Sequence, residues 1–295
     1  MTAARTGPAV ETQGSGNPVG NGDGCPADRA AQLERRGDLE VLAWPALGHV
    51  GVDAVVTTRA GGVSAGPYES LNLALHVGDD PQAVLENRRR AATALGADLD
   101  DLVFGAQVHG TRAAVVGEAH RGRGARDPSD ALADTDALVT SDPGIVLVTL
   151  VADCIPVLLF DPEAGVLSCA HAGWRGALSG VLQTTVDAMR TLGALPQRMV
   201  AFIGPGVAKE RYQVGAEVFD AARAVLGADL TALAPPDGAG RWLLDLSGTV
   251  QCLLERAGVP ASASHTAPFS TGGPFFSDRA TRPCGRFGLL ARILP

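Results

Sequence analysis

The stretch ADCIPVLLFDPEAGVLSCAHAGWRG, residues 152–176, decides how this chain folds. Two apolar runs, VLLF and GVLSCA, flank the turn-forming DPEA. Such runs on either side of a turn rich in Asp and Pro predict a β-hairpin. Taking DPEA as a four-residue loop closed by Phe160 and Gly165 places Cys154 directly opposite His171. Directly opposed residues have Cβ atoms roughly 4.5–5.5 Å apart on the same face of the sheet. A thiol and an imidazole then meet at the open end of a hydrophobic hairpin. Pro156 is the weak point of this register, because it donates nothing to a ladder and favours a bulge. A slip of one residue would send the two side chains to opposite faces.

The rest of the chain bounds what that hairpin serves. Its 295 residues suit one large domain or two modest ones. Hydrophobic residues make up 46%, enough for a sizeable core, and only 4% of residues are aromatic, so that core is built mainly of Ala, Val and Leu. A formal charge of −8 argues against nucleic acid or anionic membrane as a partner. No apolar run is long enough to span a bilayer, and the first residues lack the basic start and apolar core of a signal peptide. The five cysteines, odd in number and widely spaced, do not read as a disulfide framework. The expectation is a cytoplasmic protein, monomer or dimer.

Residues 1–38, rich in Gly, Ala, Pro and polar groups, carry no hydrophobic period and read as a disordered tail. Residues 39–295 read as a single domain without an internal linker. Helices are expected over DDPQAVLENRRRAATALG, with Asp80 as cap and Gly96 as stop, and over SGVLQTTVDAMRTLG, GAEVFDAARAVLG and LDLSGTVQCLLERAG. Strands are expected at VDAVVTTR, AAVVG, DALVTS, IVLVTLVA, VLLF, VLSCAH and MVAFIG. Helices interleave irregularly with many strands, several of them in hairpins, which points to α+β, mixed sheets flanked by helices. HRGRGARDPSD, residues 120–130, reads as a long exposed loop.

Cys154 and His171 have bland alternatives, a small buried hydrophobe and a hydrogen-bonded structural histidine. A metal held roughly 2.3 Å from sulfur and 2.0–2.1 Å from nitrogen fits between them, and so does a thiol–imidazole hydrogen bond. His109, in GAQVHGTRAAVV beside a glycine, is the candidate third ligand. His49, His76, His120 and His265 read as surface or packing residues, and Cys169, Cys252 and Cys284 as buried hydrophobes. The glycine-punctuated segment 57–80 carries Arg59, Ser64, Ser70, Asn72 and Asp79, and loops of that length commonly cover a site. In HAGWRG, Arg175 sits at a helix start, a place that suits an anion such as phosphate.

Together these segments resemble one family, first named for polyphenol oxidase or laccase activity and later described as zinc-dependent purine nucleoside phosphorylases with adenosine deaminase activity. The matching pieces are TTRAGGVSAGPYESLNLALHVGDD, QVHG, DTDALVT, ADCIPVLLFD, AHAGWRG, IGPGVAKERYQVGAEV and PFFSDRATRPCGRFGLL, in family order. The resemblance implies a metal on His109, Cys154 and His171, and places Arg59, Ser70, Asn72, Asp79, Asp136 and Arg175 in or near the pocket. The chain departs from the family pattern at Arg211, His265, Thr266, Asp278 and Ala280.

Two imidazoles and a thiolate leave a zinc with an open fourth position, the pattern of a catalytic site. Such a zinc lowers the pKa of a bound water to about 7, which suits deamination of adenosine, with Asp153 or Asp136 moving the proton. Phosphorolysis instead needs phosphate brought to the ribose C1′, a task for Arg59 and Arg175. The implied substrates are a purine nucleoside and phosphate. Three alternatives stay open. A His-Cys-His set can take copper for phenol oxidation, although the six histidines include no closely spaced pair. Cys154 could be the nucleophile of a metal-free hydrolase acting on an amide or a peptidoglycan precursor. Or a structural zinc could recruit a fourth ligand such as His265 or Cys169.

Overall fold

Apolar runs cut by Gly, Pro and Asp turns build two stacked sheets. The computed structural model describes residues 1–2 and 30–295, and most of the expected disordered tail lies outside the described residues. In chain order the strands are β1 (Gln32–Arg36), β2 (Leu39–Ala43), β3 (Val52–Thr57), β4 (Leu102–Phe104), β5 (Ala113–Val115), β6 (Ala137–Thr140), β7 (Val146–Val151), β8 (Ile155–Asp161), β9 (Val166–Ala172), β10 (Val200–Ile203), β11 (Gln213–Val214), β12 (Trp242–Leu243), β13 (Ser264–Thr266) and β14 (Phe287–Ile293). The first sheet runs β1-β2-β3-β14-β7-β4, the second β13-β10-β8-β9-β6-β5, and β11 pairs with β12 alone. Mixed sheets with flanking helices are the α+β architecture expected.

The ordered fold begins upstream of the expected boundary at residue 39. Gln32–Arg36 pairs antiparallel with Leu39–Ala43 across a two-residue turn, where Gly37 takes a φ of 61°. A glycine first in such a turn matches the twist of the flanking strands. Strand β14 lies between β3 and β7, although it was not among the expected strands. Both of its partners lie far away in the chain, so local pattern alone did not reveal it.

Helices cover the outer faces and give four layers. Pro81–Thr93 packs Ala91 and Ala92 over Val55, Val148 and Leu290 of the first sheet. Its N-terminus is capped as expected, Asp80 accepting from the Gln82 N–H, a contact of about 1 kcal/mol. Val181–Thr191 and Leu246–Arg256 cover the second sheet, with Val181, Val186, Met189 and Leu254 over Val157, Leu159 and Ala170. Between the sheets, Val56, Leu147 and Leu289 meet Leu158, Leu167 and Phe202. Each fully buried side chain of this kind contributes about 1.5–3 kcal/mol.

Side chains alternate along β8 and β9, so Leu158, Phe160, Leu167 and Cys169 face the other sheet while Val157, Leu159, Ala170 and Ala172 face the helices. The same alternation turns Cys154 and His171 inward, toward the space between the sheets.

The hairpin register differs from the expected one. Asp161 pairs with Val166, Pro156 with His171 and Ile155 with Ala172. The loop is therefore Pro162–Gly165, closed one residue later on each strand. Gly165 takes a φ of 63° and donates its N–H to the Asp161 carbonyl at 2.9 Å, and the Asp161 carboxylate accepts from Glu163 N and Ala164 N. A glycine that can turn left-handed, and an aspartate that satisfies the turn's amides, fix this closure. The shift carries Cys154 opposite Gly173 and makes it a diagonal neighbour of His171, on the same face. Pro156 needs no bulge. The His171 N–H points the other way, to the Asp136 carbonyl at 2.8 Å, so the ladder asks Pro156 for no donor there.

Candidate functional site

Three separate pieces of chain bring the candidate ligands together. His109 comes from the segment between β4 and β5, Cys154 from the residue before β8, and His171 from β9. Cys154 Sγ lies 3.7 Å from His109 Nε2, and the two imidazole rings sit 4.7 Å apart at 71°. One donor atom from each residue lies within 4.8 Å of the others. Zinc bonds of about 2.3 Å to sulfur and 2.0–2.1 Å to nitrogen at a tetrahedral angle require a separation of roughly 3.5 Å. The donor set and its spacing therefore fit a metal ion.

One carboxylate organises both histidines. Asp136 is 2% exposed and directly precedes β6. Its Oδ1 accepts from His171 Nδ1 at 2.8 Å and from the His109 backbone N–H at 3.0 Å. Its Oδ2 accepts from the N–H groups of Gly110 at 2.8 Å and Val108 at 3.2 Å. Burial works to raise the pKa of Asp136, but the bonds from His171 and Gly110 hold it below the usual carboxylate range. The bond also fixes the His171 tautomer and leaves Nε2 free for a metal, an arrangement recurrent at metal sites.

Backbone strain and an absent side chain complete the site. His109 and Asp153 take φ values of 59° and 99°, unusual for residues other than glycine and typical of functional sites. Opposite Cys154, Gly173 leaves the space between the ligands open. A Cβ there would lie 2.8 Å from Cys154 Sγ and 2.8 Å from His109 Cδ2.

The electrostatics favour a cation. Burial works to raise the Cys154 thiol, yet His171 and His109 bring it down to about 6. Burial works to lower His171, yet Cys154 and Asp136 raise it to about 9. The lowered thiol favours the thiolate, the form of cysteine that binds a metal.

The cluster opens on a cavity of about 640 Å³ between the ends of the sheets. Arg88, Arg175, Arg279, Arg282 and Arg286 line it, against two carboxylates, Asp153 and Asp278. A net-negative protein thus carries a net-positive cavity, which draws anions in. Trp174, Tyr212 and Phe104 add flat apolar walls.

The structure brings His109, Cys154, His171, Asp153 and Arg175 to this cavity and sets Asp136 just behind it. Asp153 accepts from the hydroxyls of Thr271 and Ser277 and from the Arg279 N–H. Arg175 stacks 4.2 Å from the Trp174 ring and pairs with Glu217 at 3.0 Å, near the rim. Arg59, Ser70, Asn72 and Asp79 do not line the cavity. They hold segment 57–80 together instead. Arg59 Nε donates to the Glu69 carbonyl, Ser70 Oγ to the Arg59 carbonyl, and Asp79 accepts from Ser64 and Asn72. Asn72 also accepts the Arg286 N–H at 2.8 Å, which ties that segment to the cavity wall.

Several lining residues escaped the sequence reading. His76, expected on the surface or in packing, faces the cavity, as do Arg88, Tyr212, Asp278, Arg279 and Arg286. Segment 120–130, expected as an exposed loop, supplies Gly124 and Pro128 to the wall and is held by Arg88. Cys252, expected buried, is half-buried and donates to Asp229 at 3.3 Å. Among the described residues, His109, Cys154 and His171 are the one group of three or more placed to share a metal, and neither Cys169 nor His265 is grouped with them.

The family described as multi-copper polyphenol oxidoreductase laccase matches residues 53–293, and the chain belongs to it. The chain is 42% identical over 254 residues to a purine nucleoside phosphorylase of Deinococcus radiodurans, spanning 83% of this chain and 90% of that protein. It is 37% identical over 255 residues to the purine nucleoside phosphorylase YlmD of Geobacillus stearothermophilus, spanning 85% of this chain and 92% of that protein. The crystal structure of YlmD matches with a TM-score of 0.85 at 34% identity, covering 89% of this chain and 99% of that one.

Proposed function

We propose that this chain is a zinc-dependent purine nucleoside phosphorylase that also deaminates adenosine. Adenosine, inosine or methylthioadenosine would react with phosphate to give the free purine and ribose 1-phosphate. The observation that carries this reading is the His109–Cys154–His171 cluster, open to a cavity of about 640 Å³ with arginine-rich walls. The names borne by relatives that match most of the chain support it.

A metal held by His109, Cys154 and His171 would supply Lewis acidity at the cavity wall. The chain's own residues do the rest. Trp174 and Tyr212 offer flat surfaces to the purine, and their burial of the base excludes water. The guanidinium groups restrain phosphate so that an oxygen can reach C1′ as the bond to the purine nitrogen breaks. Asp153 lines the cavity beside Cys154, which supports it as the group that passes a proton from phosphate to the departing purine. Asp136 is a positioning residue, because its four donors and its burial leave it nothing to exchange with substrate.

One observation favours a second reading. A thiol drawn down to about 6 beside an imidazole is also the poise of a cysteine nucleophile in a hydrolase. Purified protein incubated with adenosine and with inosine, with and without phosphate, separates the two. Purine and ribose 1-phosphate appearing only with phosphate support phosphorolysis. Purine release indifferent to phosphate contradicts it, and conversion of adenosine to inosine reads the deaminase activity independently.

A further inference from the structure

Segment 104–109 lines the cavity along its whole length, with His109 at one end and Phe104 at the other. Five residue steps span at most about 18 Å of extended chain. At the Phe104 end sits Arg88, 3% exposed, with its guanidinium 4.1 Å from the Phe104 ring. Arg88 Nε donates to the Leu73 carbonyl, and Nη1 donates to the carbonyls of Gly124 and Ala125. Nη2 has no acceptor and no carboxylate pairs with Arg88 among the described residues. Burial alone acts on this group and pulls its pKa down to about 9, so it stays charged at neutral pH. A buried cation without a counter-ion is expensive, and this one stands in a cavity wall.

Its neighbours make a basic corner. Leu73, whose carbonyl holds Arg88, also takes its N–H to the Arg286 carbonyl at 3.0 Å. Arg286 and Arg282 pair with the two oxygens of Asp278 at 3.0 and 2.6 Å. His76 completes the corner. Burial lowers its pKa, and Arg286 and Arg88 lower it further, which favours the neutral imidazole. Arg282 and Arg286 thus share one carboxylate, and Arg88 has none.

We propose that the corner formed by Arg88, Arg282, Arg286 and His76 is a subsite for a phosphate dianion, with Asp278 as the internal anion that occupies the cations when phosphate is absent. Resting on the phosphorylase reading, this subsite holds the phosphate co-substrate, and Arg59, outside the cavity, takes no part. Phosphate supplies the missing counter-charge of Arg88 and competes with Asp278 for Arg282 and Arg286.

Calorimetric titration of inorganic phosphate into the full-length protein tests this without turnover, against Arg286→Gln and Asp278→Asn. Arg286→Gln should weaken phosphate binding by about tenfold or more, the scale of a lost charge-assisted hydrogen bond, and leave adenosine binding in place. Asp278→Asn should tighten phosphate binding by about threefold or more, a gain that no misfolded protein would produce. Equal phosphate affinity in all three proteins overturns the proposal. So does a corner that takes adenosine 5′-monophosphate but no free phosphate, since the site would then read a phosphate ester. The two readings fail separately. Phosphate bound here, with purine released without it, sinks the phosphorylase and leaves the subsite standing. Phosphate-dependent release with an unchanged KM for phosphate in Arg286→Gln sinks the subsite alone.

Discussion

Gly173→Ala isolates the ligand geometry from every other property of the site. Gly173 has a φ of −75° and a ψ of 165°, which alanine adopts without strain, so only the new methyl group matters. That Cβ would lie 2.8 Å from both Cys154 Sγ and His109 Cδ2. Ordinary contacts of this kind begin near 3.5 Å, so one or both ligands must retreat by roughly 0.7 Å. Metal–ligand bonds tolerate displacements of only about 0.2 Å. The overpacking itself costs about 1–3 kcal/mol, well within the stability of a domain this size. The protein should fold and melt a few degrees lower, yet lose about 10–100-fold in metal affinity. Metal content after dialysis against graded chelator, with a thermal melt in parallel, reads both quantities. Wild-type metal affinity in Gly173→Ala would refute the placement of the ion between these side chains.

Other expectations follow from the same contacts. Asp136→Asn replaces an acceptor oxygen by an amide and turns it toward N–H groups, leaving buried donors unpaired at about 1–3 kcal/mol each. It should lower the melting temperature and loosen metal about 10–100-fold, whereas a merely structural role would move only the melt. Acid stability offers a separate check at Asp161. Burial works to raise its pKa, but Arg198 and the amides of Leu195, Ala164 and Glu163 hold it below the unfolded value. A depressed folded-state pKa stabilises above the unfolded value of about 3.9 and loses that stabilisation as pH falls through it. Melts should therefore drop below about pH 4, and the drop should be shallower in Asp161→Asn; equal slopes would count against the pairing.

The sequence carried much of this site but not its surroundings. The hairpin, the capped helix from Pro81 and the grouping of His109, Cys154 and His171 were legible because apolar runs, turn residues and the Cys and His positions are local signals. The register was misplaced because the loop closes where Gly165 can turn left-handed, one residue later than composition suggested. Strand β14 depends on partners from distant parts of the chain, and no window around Phe287 announces them. The role of segment 57–80 was hidden for a related reason. Arg59, Ser70, Asn72 and Asp79 look like binding groups by residue type, yet most of their hydrogen bonds close on the loop itself, and Asn72 alone of the four also reaches the Arg286 N–H in the cavity wall. Arg88 was hidden in an amphipathic helix pattern, where a buried arginine resembles any solvated one. Only its place against Phe104 distinguishes it. The left-handed backbone at His109 and Asp153 leaves no mark in composition at all.

Diffraction collected on either side of the zinc absorption edge would locate the ion itself. One anomalous peak per chain is expected, bonded to His109 Nε2, Cys154 Sγ and His171 Nε2, with its remaining position facing the cavity. No peak there in protein that still releases purine, or an ion enclosed by four protein ligands, would contradict that expectation.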